Sequence, residues 1–185
     1  AGVQWLRDRM KFFKKASETE KLVKSLKDNN NIYLVPAFTG LGAPHWDANA
    51  RGVLTGITRD TNPREIVRAT IEAVAYQTYD LFEAMKHDGL RPKIVKVDGG
   101  MVMNNWFSQF LSDIVNVKVL RPNVQETTAA GAAFMAGLQI GVYKSLKDIS
   151  KIWHLDKKFS PSMSNKSRNQ LLKGWSSAIK KTLTN

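Results

Sequence analysis

Residues 63–86 constrain the fold more than any other stretch, because they read as one uninterrupted helix. Asn62 can cap it, Pro63 suits the first helical position, and Glu65 sits at the third. Ile66, Thr70, Ala73, Val74, Gln77, Leu81 and Met85 give it one continuous face. At the rise of an α-helix it spans about 35 Å, the width of a domain. The rest of the chain must therefore supply a layer long enough to lie against that face.

The remaining sequence offers such a layer. Residues 32–35 and 52–58 read as strands, separated by the loop Thr39-Gly40-Leu41-Gly42-Ala43-Pro44. From Lys93 onward come a strand at 93–97, a helix from Asn104 to about Val115, a strand at 117–120 stopped by Pro122, and an Ala/Gly-rich helix at 127–141. Strand, helix, strand, helix argues for parallel strands joined by right-handed crossovers, an α/β layer. Around this lie helical pieces. Residues 2–14 put Val3, Leu6, Met10 and Phe13 on one stripe, and Ser17 with Glu20 makes a capping box for a helix to about Leu26. Ser145 caps a short helix to about Trp153, and Leu171, Trp175, Ile179 and Leu183 recur four apart in a final amphipathic segment. The expected organisation is one domain over 1–185, with a core at about 32–142 and a helical segment at about 143–185.

The chain has no cysteine, so disulfides and thiolate metal sites are excluded. No apolar run approaches the roughly 18 residues that span a bilayer. The first ten residues carry charges where a signal peptide would be apolar, so a cytoplasmic setting is expected. Lys and Arg exceed Asp and Glu by 28 − 16 = 12. They are spread along the chain with no block of five and no aromatic interleaving, which weighs against nucleic acid as a partner.

Ligands of parallel sheets sit at the carboxyl ends of strands, and Val97-Asp98-Gly99-Gly100 marks such an end. Two glycines leave the backbone bare for a ligand. Asn104 and Asn105 then stand at a helix N-terminus, where free N–H groups favour phosphate. A tight turn with an Asn cap explains the same residues without a ligand. Neither a Rossmann fingerprint nor a Walker A sequence occurs, and Pro44 rules out a helix directly after the Gly40–Gly42 loop. His45, His87 and His154 are isolated and read as surface or cap residues, with no metal spacing among them. Asp47 and Asp98 are the best-placed carboxylates. Asp98 could orient a metal-bound water or fix its turn. The small residues of 127–141 suit either a nucleotide site or close helix–sheet packing.

Residues 52–72 resemble the second signature of the FGGY carbohydrate kinases, through Gly52, Leu54, Gly56-Ile57, Glu65-Ile66 and Ala69-Thr70-Ile71-Glu72. Residues 35–44 with Trp46-Asp47 and Ala50-Arg51-Gly52 are similar to the glycerol kinase branch of that family. Ala75-Tyr76-Gln77-Thr78, Asp98-Gly99-Gly100 with Asn104-Asn105, and Arg121-Pro122 before Thr128-Ala129-Ala130-Gly131 continue the likeness. It covers nearly the whole chain, more loosely after Val142. The resemblance implies an actin-like, ribonuclease-H-like ATPase fold. It implies ATP-dependent phosphorylation of glycerol to glycerol 3-phosphate, yielding ADP, with Mg²⁺. Gln4, Gly100 and Asn104 match positions that contact the nucleotide.

The same resemblance implies that the chain is truncated at its N-terminal side. The family's catalytic aspartate, its glycerol-binding residues, its phosphate loops and the first strands of the domain would all precede Ala1. No catalytic residue and no metal ligand is then expected in this chain. An N-terminal kinase domain, in cis or in trans, would be its partner, and self-association into an oligomer is left open. The strand at 93–97 would have a bare edge, and the chain alone would be marginally stable. Two other readings stand beside this one, an inactive remnant of a disrupted kinase and a basic nucleic-acid-binding module.

Overall fold

The computed structural model describes residues 1–124 and 127–184. Two short helices come first, α1 (Gly2–Asp8) and α2 (Glu18–Lys24), followed by strand β1 (Tyr33–Val35), which pairs antiparallel with β2 (Val53–Thr55). Then follow the long helix α3 (Pro63–His87), strand β3 (Ile94–Lys96), a 3-10 turn at Gly100–Met103, helix α4 (Asn105–Val115) and strand β4 (Lys118–Pro122). Helix α5 (Thr127–Gln139), helix α6 (Leu146–Lys151), strand β5 (Leu155–Phe159) and helix α7 (Asn165–Thr182) complete the order.

The start of α3 forms as its sequence dictates. Asn62 accepts from the Arg64 N–H and Glu65 reaches back to the Asn62 N–H at 2.7 Å, a closed capping box with Pro63 at the first position. The burial of α3 differs from a single stripe. From Val67 through Tyr76 every residue but the half-buried Val74 is buried, while Leu81 is exposed. Enclosure includes charge. Arg68 Nε donates to Glu72 Oε1 at 2.7 Å, and Tyr76 and Asn29 donate to the other oxygen, so the carboxylate is satisfied inside the core. Burial pushes the Glu72 carboxyl up, and the Arg68 charge pulls against it.

Strands β3 and β4 are parallel, with Val95 opposite Val119, as a strand–helix–strand unit requires. Beyond β4 the structure departs from the sequence reading. The strand does stop at Pro122, which is itself its last residue and pairs, across a register shift, with Leu155 of the antiparallel β5. Proline is tolerated at such an irregularity, where no ladder donor is needed. Strand β5 carries exposed side chains everywhere except Phe159, so it has no hydrophobic signature to read. In the order β3-β4-β5, β3 is an edge strand, paired on one side only among the described residues.

The stretch read as one helix over 2–14 is shorter. Lys11 takes a left-handed φ of 58°, and the chain turns so that Phe13 enters the core while Met10 stays outside. Ser17 forms no side-chain cap on α2. The reciprocal bond there is made two residues earlier, from the Lys15 N–H to Glu18 at 2.7 Å. That frees Glu20 for another partner.

The core joins α3, α4 and α7. Tyr76 stacks on Trp175 with centroids 5.2 Å apart and meets Phe110 edge-on at 5.6 Å. Helix α7 approaches β1 closely, since a Cβ at Gly174 would collide with the Tyr33 ring. Helix α5 is the exception to this packing. Among its described residues only Gly137 is buried, so its alanines do not mediate close helix–sheet contact here. Among the described residues no helix is long and apolar enough to cross a membrane.

Candidate nucleotide pocket

Four elements converge on a cavity of about 510 Å³. Helix α1 contributes Gly2, Val3, Gln4 and Arg7, and lies against α3 because Gly2 has no side chain: a Cβ there would stand 2.6 Å from Thr70 Cγ2. Helix α3 contributes Ile71 and Val74 as an apolar wall. Opposite, Gly100, Met101, Met103 and Asn104 come from the turn after β3. Thr19 and Glu20 of α2 close the polar end.

The turn after β3 needs glycine at one of its two positions. Gly99 has φ 84°, a conformation that a side chain strains. A Cβ at Gly100 would meet nothing within 4 Å, and this residue lines the cavity. Arg121, buried on β4, holds this turn: its Nη1 donates to the Val102 carbonyl at 2.7 Å, while its Nε donates to Asp156 on β5 at 2.6 Å.

Asn104 is fixed at both ends of its amide. Its oxygen accepts from the Phe107 N–H at 3.0 Å, and its nitrogen lies 3.4 Å from Thr19 Oγ1. Glu20 adds a carboxylate to the same helix end, accepting from the Asn105 N–H at 3.3 Å. The expectation that this N-terminus offers free N–H groups to phosphate is therefore corrected. The first N–H groups of α4 are occupied by the chain's own oxygens, and the negative charge seated there repels an anion. Partial burial pushes the Glu20 carboxyl up. Hydrogen bonds from Lys24, at 2.6 Å, and from the Asn105 and Trp106 backbone outweigh it, so Glu20 titrates below the ordinary glutamate range and is ionised at neutral pH.

All three positions singled out in the sequence as nucleotide contacts, Gln4, Gly100 and Asn104, line this one cavity. Asp98 does not. It is exposed and accepts from the Thr127 hydroxyl, tying the glycine turn to the start of α5. Asp47 is also structural, accepting from the Asn49, Ala50 and Thr184 N–H groups. His45 is half-buried rather than a surface residue, 3.4 Å from Asp80, which also accepts from Trp175 Nε1 at 2.8 Å. Thr19 was not singled out in the sequence, Glu20 was read only as half of a capping box, and Arg121 only as part of the family likeness. Thr19 and Glu20 meet partners 85 residues away, and no local spacing signals that.

The cavity can bind and orient a ligand with a flat apolar body and a polar edge. It holds one carboxylate, already engaged, and so has no free general base. Among the described residues no three His, Asp or Glu side chains converge as a metal site.

Comparison with known proteins matches residues 1–140 to the FGGY family of carbohydrate kinases, C-terminal domain. Glycerol kinase 1 of Pseudomonas aeruginosa is 53% identical over 181 residues, 98% of this chain and 37% of that protein. The glycerol kinase of Gluconobacter oxydans is 47% identical over 185 residues, 100% of this chain and 36% of its own length. Among solved structures, Plasmodium falciparum glycerol kinase with ADP superposes with a TM-score of 0.87 at 34% identity, covering 100% of this chain and 37% of that one. The xylulose kinase of Lactobacillus acidophilus shares the fold, with a TM-score of 0.78 at 24% identity, covering 97% of this chain and 36% of its own. The chain thus spans little more than a third of the length of the relatives it matches.

Proposed function

Since the chain belongs to the FGGY family of carbohydrate kinases, as their C-terminal domain, we propose that its cavity is the nucleotide side of a glycerol kinase. The single observation that carries this is the meeting of Gln4 with Gly100 and Asn104, almost a hundred residues further on, at one cavity between α1, α3 and the glycine turn. The likeness to a glycerol kinase whose structure contains ADP supports an adenine nucleotide as the ligand.

The reaction proposed is transfer of the terminal phosphoryl group of ATP to glycerol, giving ADP and glycerol 3-phosphate. Phosphoryl transfer is accelerated mainly by positioning and by stabilising charge. This chain's share is positioning. The apolar wall of Val3, Ile71 and Val74 takes the base, and the bare backbone at Gly100 allows the rest of the nucleotide to pass close by. The hydroxyl acceptor, the general base and the glycerol site would come from an N-terminal kinase domain, in cis or in trans. Mg²⁺ neutralises phosphate charge when it is bound with the nucleotide. A cytoplasmic setting, where ATP is abundant, suits the activity.

The test is ADP release dependent on both glycerol and ATP, by this chain alone and mixed with a separately made N-terminal half. Activity in the mixture only is the expected result. No activity in either, with no nucleotide bound, would reduce the chain to a remnant and overturn the proposal.

A further inference from the structure

Strand β5 acts on the cavity without lining it. It lies outside residues 1–140, the part of the chain that matches the family domain. Its side chains are exposed except for Phe159, yet Asp156, Lys157 and Phe159 all meet groups behind the cavity wall. Across the ladder Leu155 pairs with Pro122 and Lys157 with Arg121, so the register shift leaves Asp156 as an extra residue. Such irregularities re-aim a side chain. Here the Asp156 carboxylate accepts from Arg121 Nε at 2.6 Å, and the guanidinium carbon lies 5.6 Å from the centre of the Phe159 ring. Lys157 Nζ donates to Asn105 Oδ1 at 3.3 Å, at the start of α4.

The other end of the guanidinium meets the glycine turn. Nη1 donates to the Val102 carbonyl at 2.7 Å and lies 3.4 Å from the Met103 carbonyl. Ser108 Oγ donates to the same Val102 oxygen at 2.9 Å, so both lone pairs of that carbonyl are engaged. Met101, Met103 and Asn104, to either side of Val102, line the cavity. A guanidinium is a planar, rigid fork, so fixing Nε fixes the direction in which Nη1 points. Arg121 is buried, and water is a poor substitute for a lost partner there.

We propose that Asp156 is a positioning residue for the nucleotide, acting through Arg121 to hold the Gly100–Met103 turn in the shape that binds. The inference rests on reading the cavity as a nucleotide site. Without the carboxylate the guanidinium is free to swing, and the turn loses one of the two donors on Val102. Binding must then order a turn that the unaltered chain holds ready, and affinity falls.

Isothermal titration of the 185-residue chain with ADP, beside urea unfolding, tests this. Asp156 is exposed, so Asp156→Ala opens no hole in the core. Its ADP affinity is expected to fall about three- to thirtyfold. Asn62→Ala, which weakens a helix cap outside the cavity, is the control for lost stability alone and should bind ADP as the unaltered chain does. Because coupling is reciprocal, ADP should also slow hydrogen exchange in β5 of the unaltered chain beyond any slowing in β2, a measurement that needs no variant. Unchanged ADP affinity in Asp156→Ala overturns the proposal and leaves the nucleotide reading intact. A loss no greater than that of Asn62→Ala does the same, as does exchange in β5 that ADP slows no more than in β2. No ADP bound by the unaltered chain overturns the nucleotide reading and this proposal together.

Discussion

Arg68 and Glu72 carry the largest electrostatic stake in the molecule. Glu72 is 0% exposed, and its carboxylate is met by Arg68, Tyr76 and Asn29. Arg68 also donates to the Leu26 carbonyl and lies over the Trp106 ring at 5.0 Å. Arg68→Ala strands a buried charge, and urea unfolding should show a loss of about 3–5 kcal/mol. Asp47 acts in a different way. The Thr184 backbone N–H, the strongest of several donors, holds the Asp47 carboxyl below the ordinary range. A folded-state pKa that is lowered contributes fully above the unfolded value, roughly 3.9, and its contribution fades as pH falls through the folded one. Denaturation midpoints of Asp47→Asn and the unaltered chain should therefore differ near neutrality and converge in acid. Midpoints that stay equally far apart at every pH would contradict this. At this scale the sequence picked out Gln4, Gly100 and Asn104, which the structure brings to one cavity, yet not the ion pair. Glu72 was read as part of a signature; Arg68 and Tyr76, one turn to either side on α3, and Asn29 from the loop before β1 bond its carboxylate.

Among the elements, α3 was the most legible because its start is written locally. The signals at Asn62, Pro63 and Glu65 lie within four consecutive positions of the chain and form the bonds expected of them. Asn62→Ala should cost about 1 kcal/mol of stability, measured as a shift in thermal midpoint, with the spectrum of the folded state unchanged. The cap of α4 at Asn104 was equally local and equally clear. Legibility failed where tertiary contacts decide. Strand β5 is a strand because β4 offers it a ladder, while four of its five side chains stay exposed. Helix α1 ends early because Phe13 is drawn into the core, which no spacing within 2–14 reveals.

For the whole molecule, the parallel pair β3 and β4 was foreseen from the alternation of strands and helices, and the sheet is completed on one side only. Elsewhere, Met135 and Ile140 of the α5 region are exposed, Ile140 to 76%. An edge strand and exposed apolar side chains are each templates for association. The chain alone is expected to bind a hydrophobic dye and to grow in apparent mass with concentration, by light scattering. A monodisperse monomer that unfolds cooperatively at a high midpoint would contradict both this and its marginal stability. The N-terminal half of a full-length relative should suppress the association if it covers the same edge.

The bonds of Arg121 also bear on the order of events in folding. One guanidinium reaches β5 through Asp156 and the glycine turn through the Val102 carbonyl. The turn that walls the cavity is held by β4, and the guanidinium that holds it is braced in turn by β5. If that bracing forms after the transition state, a ligand that fits the site cannot hasten the chain's arrival there. Nucleotide should slow unfolding in stopped-flow experiments and leave the refolding rate unchanged, making the pocket a brake on departure from the native state.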